Sequence, residues 1–147
     1  MPSVEETTTA DIGFGKIQQA GSSARPLVPV VLQNADTGDV LFVGYADRSA
    51  LEETLDTGRA TLWSTSREEL WRKGATSGDV LNVVDVRVNC EQNSLLYLVR
   101  PTTGGVCHST DAAGAPRPTC FYRRVTRPDL LEFVEGFGPS SSPSGGA

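Results

Sequence analysis

Two pairs of apolar runs, each divided by a short stretch of turn-forming residues, constrain the fold of this chain more than anything else in it. "LVPVVLQ" and "VLFVGY" flank "NADTGD", and "VLNVVDVRV" and "SLLYLVR" flank "NCEQN". Branched side chains such as Val are stiff and suit extended backbone, whereas Asn, Asp and Gly bend it. Each pair therefore predicts an antiparallel hairpin, the second with Cys90 at its tip. Between them "DRSALEETLDTG" predicts a short helix: Ser49 with Glu52 fits a capping box, Leu51 and Leu55 share a face, and Gly58 suits a left-handed stop. "ATLWSTS" returns to strand, and "REELWRKGATSGD", mixed in charge and rich in Gly and Ser, reads as loop. The sum is a mostly β (α+β) domain with one or two short helices, in a strand order that this pattern leaves open.

The 147 residues suit one compact domain. The first 25 residues and the end from 137 to 147 carry little apolar payload to offset the entropy of ordering, which predicts loose tails around a domain spanning 26–136. No apolar run approaches the ~18 residues of a membrane span, and the acidic start lacks the features of a signal peptide, so the expected location is cytoplasmic. A net charge of -5 argues against a general nucleic-acid binder. Basic residues do cluster locally, with Arg67, Arg72 and Lys73 in one group and Arg117, Arg123, Arg124 and Arg127 in another, as a small anionic ligand requires.

The chain has three cysteines and one histidine. Three thiols cannot all pair internally, which leaves free thiols, metal ligands or a nucleophile. Cys90, Cys107 and Cys120 with a water would make an open tetrahedral zinc site; the alternative is three unrelated small hydrophobes. The former gains from their position at loops and strand edges and from His108 beside Cys107. His108 itself is open to three readings: fourth ligand, general acid/base, or a hydrogen-bonded surface side chain. A Cys-His nucleophilic pair fits less well, because neighbours in extended backbone point to opposite faces.

"LWSTSREELWRKGATSGDVLNVVDVRVNCEQNSLLYLV" followed by "GGVCHSTDAAGAPRPTCFYRRV" resembles the phosphoribosyl-AMP cyclohydrolase family, and the strings "LWRKG", "TSG", "CH" and "CFY" in that order carry the resemblance from about Leu27 to Val125. The resemblance implies a compact, intertwined β homodimer with a zinc site across its interface, where Cys90 of one chain meets Cys107 and Cys120 of the other. It implies attack of zinc-bound water on a ring carbon of a purine amidine and cleavage of the ring C–N bond, with His108 moving protons. It also implies a phosphorylated, nucleotide-like substrate held by Ser64, Ser66, Arg67, Trp71, Arg72, Lys73, Gly74, Thr76, Ser77 and Gly78. Trp63, inside its strand, suits core packing better than stacking on a base.

The sequence departs from the family pattern on the ligand side. Where three aspartates would hold magnesium around the first cysteine, it has Asn89, Glu91 and Asn93, which argues against a magnesium site because that ion is usually held by carboxylates. Glu91, the one acid there, is a candidate proton carrier, with a solvated turn residue as the plainer alternative. Thr65 stands where an arginine is usual, Leu81 where a glutamine is usual, and the stretch between Cys107 and Cys120 is lengthened. These changes favour a zinc-dependent hydrolase acting on a nitrogen heterocycle, with specificity shifted toward specialised metabolism. The alternatives are a genuine phosphoribosyl-AMP cyclohydrolase of histidine biosynthesis and a non-catalytic, zinc-stapled dimeric binding module.

Overall fold

The chain is described by a computed structural model over residues 25–111 and 113–137. The tails expected at 1–25 and 137–147 therefore lie outside the described residues, apart from Arg25 and Phe137. The strands β1 (Val28–Asn34) and β2 (Val40–Ala46) form the first expected hairpin, and β5 (Leu81–Val88) and β6 (Leu95–Pro101) form the second. Between them lie the helix α1 (Arg48–Thr57) and the short strands β3 (Thr61–Ser64) and β4 (Glu69–Arg72). A last hairpin pairs β7 (Arg123–Arg127) with β8 (Leu130–Phe133).

Six strands make one sheet in the order β4-β3-β2-β1-β6-β5. All neighbours run antiparallel except β1 and β6, whose parallel pairing of Val30 with Leu95 and Leu32 with Tyr97 joins the two hairpins. Alternation along the strands then sorts the side chains. Val28, Val30 and Leu32 from β1 are fully buried together with Tyr97 and Val99 from β6, Leu62 from β3 and Leu81 from β5, and Ala50 and Leu51 of α1 close this face. The opposite face carries a second apolar row, Val43, Val31 and Leu96, which are direct neighbours across β2, β1 and β6. Val43 there is exposed, so among the described residues nothing covers that row fully.

Three local expectations change. The N-cap of α1 is Asp47, whose carboxylate accepts from the Ala50 N–H at 2.8 Å, while the Ser49 hydroxyl donates to the same carboxylate; the box expected between Ser49 and Glu52 does not form. A charged oxygen two residues earlier outcompetes a hydroxyl for the free N–H groups. Leu51 is buried but Leu55 is 63% exposed, since α1 lies over the sheet by one narrow stripe. The stop is as expected: Gly58 is left-handed, with φ +74°, and its N–H reaches the Thr54 carbonyl. Third, the first part of "REELWRKGATSGD" is the strand β4, which places Trp71 opposite Leu62. No helix among the described residues is long and apolar enough to cross a membrane.

Candidate active site

Beyond β4 the chain turns sharply through residues 73 to 79 before entering β5. Gly74 makes this turn possible: its φ is +86°, and a Cβ there would run into the backbone of Asp79 and Val80. Only glycine tolerates both conditions. The Gly74 carbonyl then accepts from Gly78, itself left-handed, and the Ser77 hydroxyl accepts from the Asp79 N–H. Lys73 stands at the root of the loop with its side chain buried, facing Asp79 and the sulfurs of Cys107 and Cys120. Burial pushes its pKa below the usual lysine value, and the negative charge of those neighbours opposes the shift.

The loop after β6 is tied to this turn. The Thr103 hydroxyl donates to the Asp79 carboxylate, and both the Thr102 N–H and its hydroxyl donate to the Val80 carbonyl. From there Gly105, packed so closely on Pro116 that a Cβ would overlap that ring, leads into the buried Cys107. Cys120 is fixed from another direction, its N–H donating to the Leu41 carbonyl of β2 at 2.7 Å.

The side chains of Cys107 and Cys120 face each other closely enough to perturb one another. Burial pushes the Cys107 thiol up, but hydrogen bonds from the Ser109 hydroxyl and N–H and from Cys120, with the charge of Arg117, outweigh it and hold its pKa below the usual thiol value. Cys120 goes the other way. Burial of its sulfur and the bond to Cys107 push it to about 12 against the pull of Lys73. The two thiols are thus pulled in opposite directions, which makes Cys107 the more acidic of the pair.

These loops enclose a cleft of about 360 Å³ lined by Arg67, Trp71, Arg72, Lys73, Gly74, Thr76, Ser77, Cys107 and His108 among the expected residues, and by Ala75, Asp79 and Pro116 besides. Basic side chains, loop hydroxyls, one aromatic ring and a cysteine with an adjacent histidine therefore converge on one space. Trp71 is half-buried, its ring 5.9 Å from that of Phe42. Arg72 also holds Glu53 through two hydrogen bonds of 2.6 and 2.9 Å, which lowers the Glu53 pKa and raises its own.

Other expected residues stand elsewhere. Ser64 and Ser66 do not line the cleft; the Ser64 hydroxyl accepts from the Arg67 N–H and Nε, so it shapes the approach of Arg67. Gly78 closes the turn behind the lining. Trp63 is buried, with the Arg25 guanidinium 4.2 Å above its ring. Cys90 and Glu91 sit at the exposed β5–β6 tip, outside the cleft, and among the described residues of a single chain no three His, Cys, Asp or Glu side chains gather as a metal site. At that tip the Asn89 side chain is committed to the turn: its Oδ1 accepts from the N–H groups of Asn93 and Ser94, and its Nδ2 donates to Asn93 Oδ1 at 2.7 Å. The second basic cluster does not line the cleft either. Arg117 is buried on Tyr122 and Phe133, and Arg124 pairs with Glu132.

Sequence reasoning missed Asp79, Thr103 and Ser109. Asp79 and Thr103 had a readable signal, because Leu81 and Pro101 are partners in the β5–β6 ladder and the residues just outside such a pair are forced together. Ser109 had none.

A family model described as phosphoribosyl-AMP cyclohydrolase matches residues 42–122. Among curated proteins, the phosphoribosyl-AMP cyclohydrolase of Hyphomonas neptunium is 46% identical over 99 residues, covering 67% of this chain and 70% of its own length. That of Sphingopyxis alaskensis is 40% identical over 130 residues, 88% of this chain and 94% of the relative. The histidine biosynthesis bifunctional protein HisIE of Thermus thermophilus is 47% identical over 111 residues, which are 75% of this chain but 49% of that longer protein. With the match centred on the strands and loops that build the cleft, the chain belongs to the phosphoribosyl-AMP cyclohydrolase family.

Proposed function

We propose that this protein is a phosphoribosyl-AMP cyclohydrolase acting in histidine biosynthesis. The carrying observation is the cleft, in which Arg67, Arg72 and Lys73 and the 73–79 turn stand against Cys107 and His108. Relatives 40–47% identical that bear this name, or the histidine-pathway name, favour it over the shift to specialised metabolism expected from the changed turn and lengthened loop. A phosphate or ribose oxygen fits the loop hydroxyls, glycine N–H groups and cations, and Trp71 offers an edge or face for the purine. His108 would move the proton from the attacking water to the departing ring nitrogen.

Two soft sulfurs facing each other, one of them with its pKa lowered, are the donor chemistry that zinc prefers. Cys107 and Cys120 would hold it together with Cys90 of a second chain, since among the described residues of one chain Cys90 joins no metal-binding cluster at its hairpin tip. Bound there, zinc would supply the Lewis acidity that makes water nucleophilic near neutral pH. Two apolar surfaces that no described residue fully covers support a dimer: the Val43, Val31 and Leu96 row, and the hairpin β7–β8 with exposed Val125, Leu130 and Leu131. Magnesium is not part of the proposal, because Asn89 spends its side chain on the turn.

The direct test is ring opening of phosphoribosyl-AMP by purified protein. Turnover that survives without added magnesium and is lost in Cys107→Ala, together with most bound zinc, is the expected result. Absence of turnover in a zinc-loaded dimer would return the substrate to the diverged reading, and a zinc-free, inactive dimer to the binding module.

A further inference from the structure

Arg117 is the one buried arginine among the described residues, 6% exposed, and it makes no ion pair there with any carboxylate. A buried cation without a carboxylate is costly unless something else balances it. Its partners are neutral: Nε donates to the Phe137 carbonyl at 3.0 Å, Nη1 donates to the Ser109 hydroxyl at 3.1 Å, and the guanidinium lies 4.1 Å from the centre of the Tyr122 ring. The next atom beyond Ser109 is the Cys107 sulfur, 3.0 Å from that hydroxyl.

The direction of this relay follows from the donor inventory. A guanidinium only donates, so the Ser109 oxygen accepts from Arg117 and keeps its own hydrogen for the sulfur. The backbone reinforces the arrangement, since the Arg117 carbonyl accepts from the N–H groups of both Val106 and Cys107, and its N–H donates to the Ser109 carbonyl. Three thiolates around a divalent zinc leave one net negative charge, which is what an unpaired buried cation is suited to face.

We propose that Arg117 is a positioning residue for the metal centre, acting through the Ser109 hydroxyl to aim and charge-balance the Cys107 thiolate, and through the Phe137 carbonyl to couple the β7–β8 hairpin to metal binding. The proposal rests on the zinc reading above. Groups that hydrogen-bond a metal ligand typically change metal affinity about 10- to 100-fold when removed.

The test titrates full-length, metal-free protein with cobalt(II), reading the sulfur-to-cobalt charge-transfer band, and repeats the measurement for zinc against a chromophoric chelator. Ser109→Ala and Arg117→Met should each weaken binding by about 10-fold or more and shift the band. Arg117→Lys should resemble Arg117→Met, because an ammonium lacks the planar fork that reaches Phe137 and Ser109 together. Ser109→Thr keeps the hydroxyl and should restore affinity. If Arg117→Met does not fold, the Ser109 variants decide: Ser109→Ala with the affinity and spectrum of the parent overturns the relay. A parent protein that takes up cobalt without a sulfur band overturns the zinc reading and this inference together.

Discussion

The two hairpins β5–β6 and β7–β8 are built alike and live differently. Each is antiparallel, and each carries one register irregularity, at Val83/Asp85 and at Val125/Arg127. Yet β6 buries Leu95, Tyr97 and Val99 against β1, whereas every residue of β7 and β8 is exposed. A two-stranded hairpin alone is marginal in water. What holds the second one is its base: Tyr122 stacks on Phe133 with ring centres 6.1 Å apart, Val134 donates to the Tyr122 carbonyl, and Arg117 lies over the rings. Strand pairing therefore says little about stability until the faces of the strands are accounted for. In this molecule the hairpin with a buried strand builds the domain, and the fully exposed one leans on the candidate site.

The contrast is broken most severely in β6. Tyr97→Ala removes a fully buried side chain and should cost about 3 kcal/mol or more in denaturant unfolding. Gly74→Ala, at the turn that feeds β5, should leave the domain folded while the clash with Val80 displaces the loop; a misplacement of that kind lowers turnover by on the order of 100-fold in steady-state kinetics. Titration sharpens the contrast further. Burial raises the Tyr97 pKa above the phenol value, so its stabilising contribution is complete below the unfolded pKa near ~10 and is lost as pH rises through the folded value. Urea midpoints measured across that alkaline window should fall less steeply in Tyr97→Phe. On the exposed hairpin, Leu131→Ser should change unfolding by no more than about 0.5 kcal/mol while weakening self-association in sedimentation; a cost like that of Tyr97→Ala would erase the difference between the hairpins. Smallest of all, Glu132→Ala breaks only the solvent-exposed pair with Arg124 and should leave thermal unfolding unchanged.

Both interior hairpins and the helix stop at Gly58 were legible because their signals are local: branched runs, turn residues, a glycine where φ must be positive. The parallel contact of β1 with β6 was not, since pairing between distant segments is decided by which faces can share a core and no short window of sequence carries that information. The same division runs through the candidate site. Lys73, Gly74, Thr76, Ser77, Cys107 and His108 were readable as motifs and do meet in one cleft. Of the straps that fix them, Thr103 to Asp79 follows only from the register of β5 on β6, and Arg117 to Ser109 has no local signal at all. Arg117 was misread for a physical reason: a cation in a basic run looks available to an anion until the rings that cover it are seen.

The parallel pairing of β1 with β6 also sets the order in which the chain can assemble. β1 and β2 are adjacent in sequence and close quickly, but β1 is central to the sheet and its other edge waits for β6, which emerges late in synthesis. Loop-closure entropy is spent before that long-range contact returns anything, so the nascent chain carries an unpaired edge of Val30, Val31 and Leu32 until most of the domain has left the ribosome. The interval before β6 arrives is when this protein is most open to aggregation, and substitutions that slow its docking should lower soluble yield even where the finished fold is unharmed.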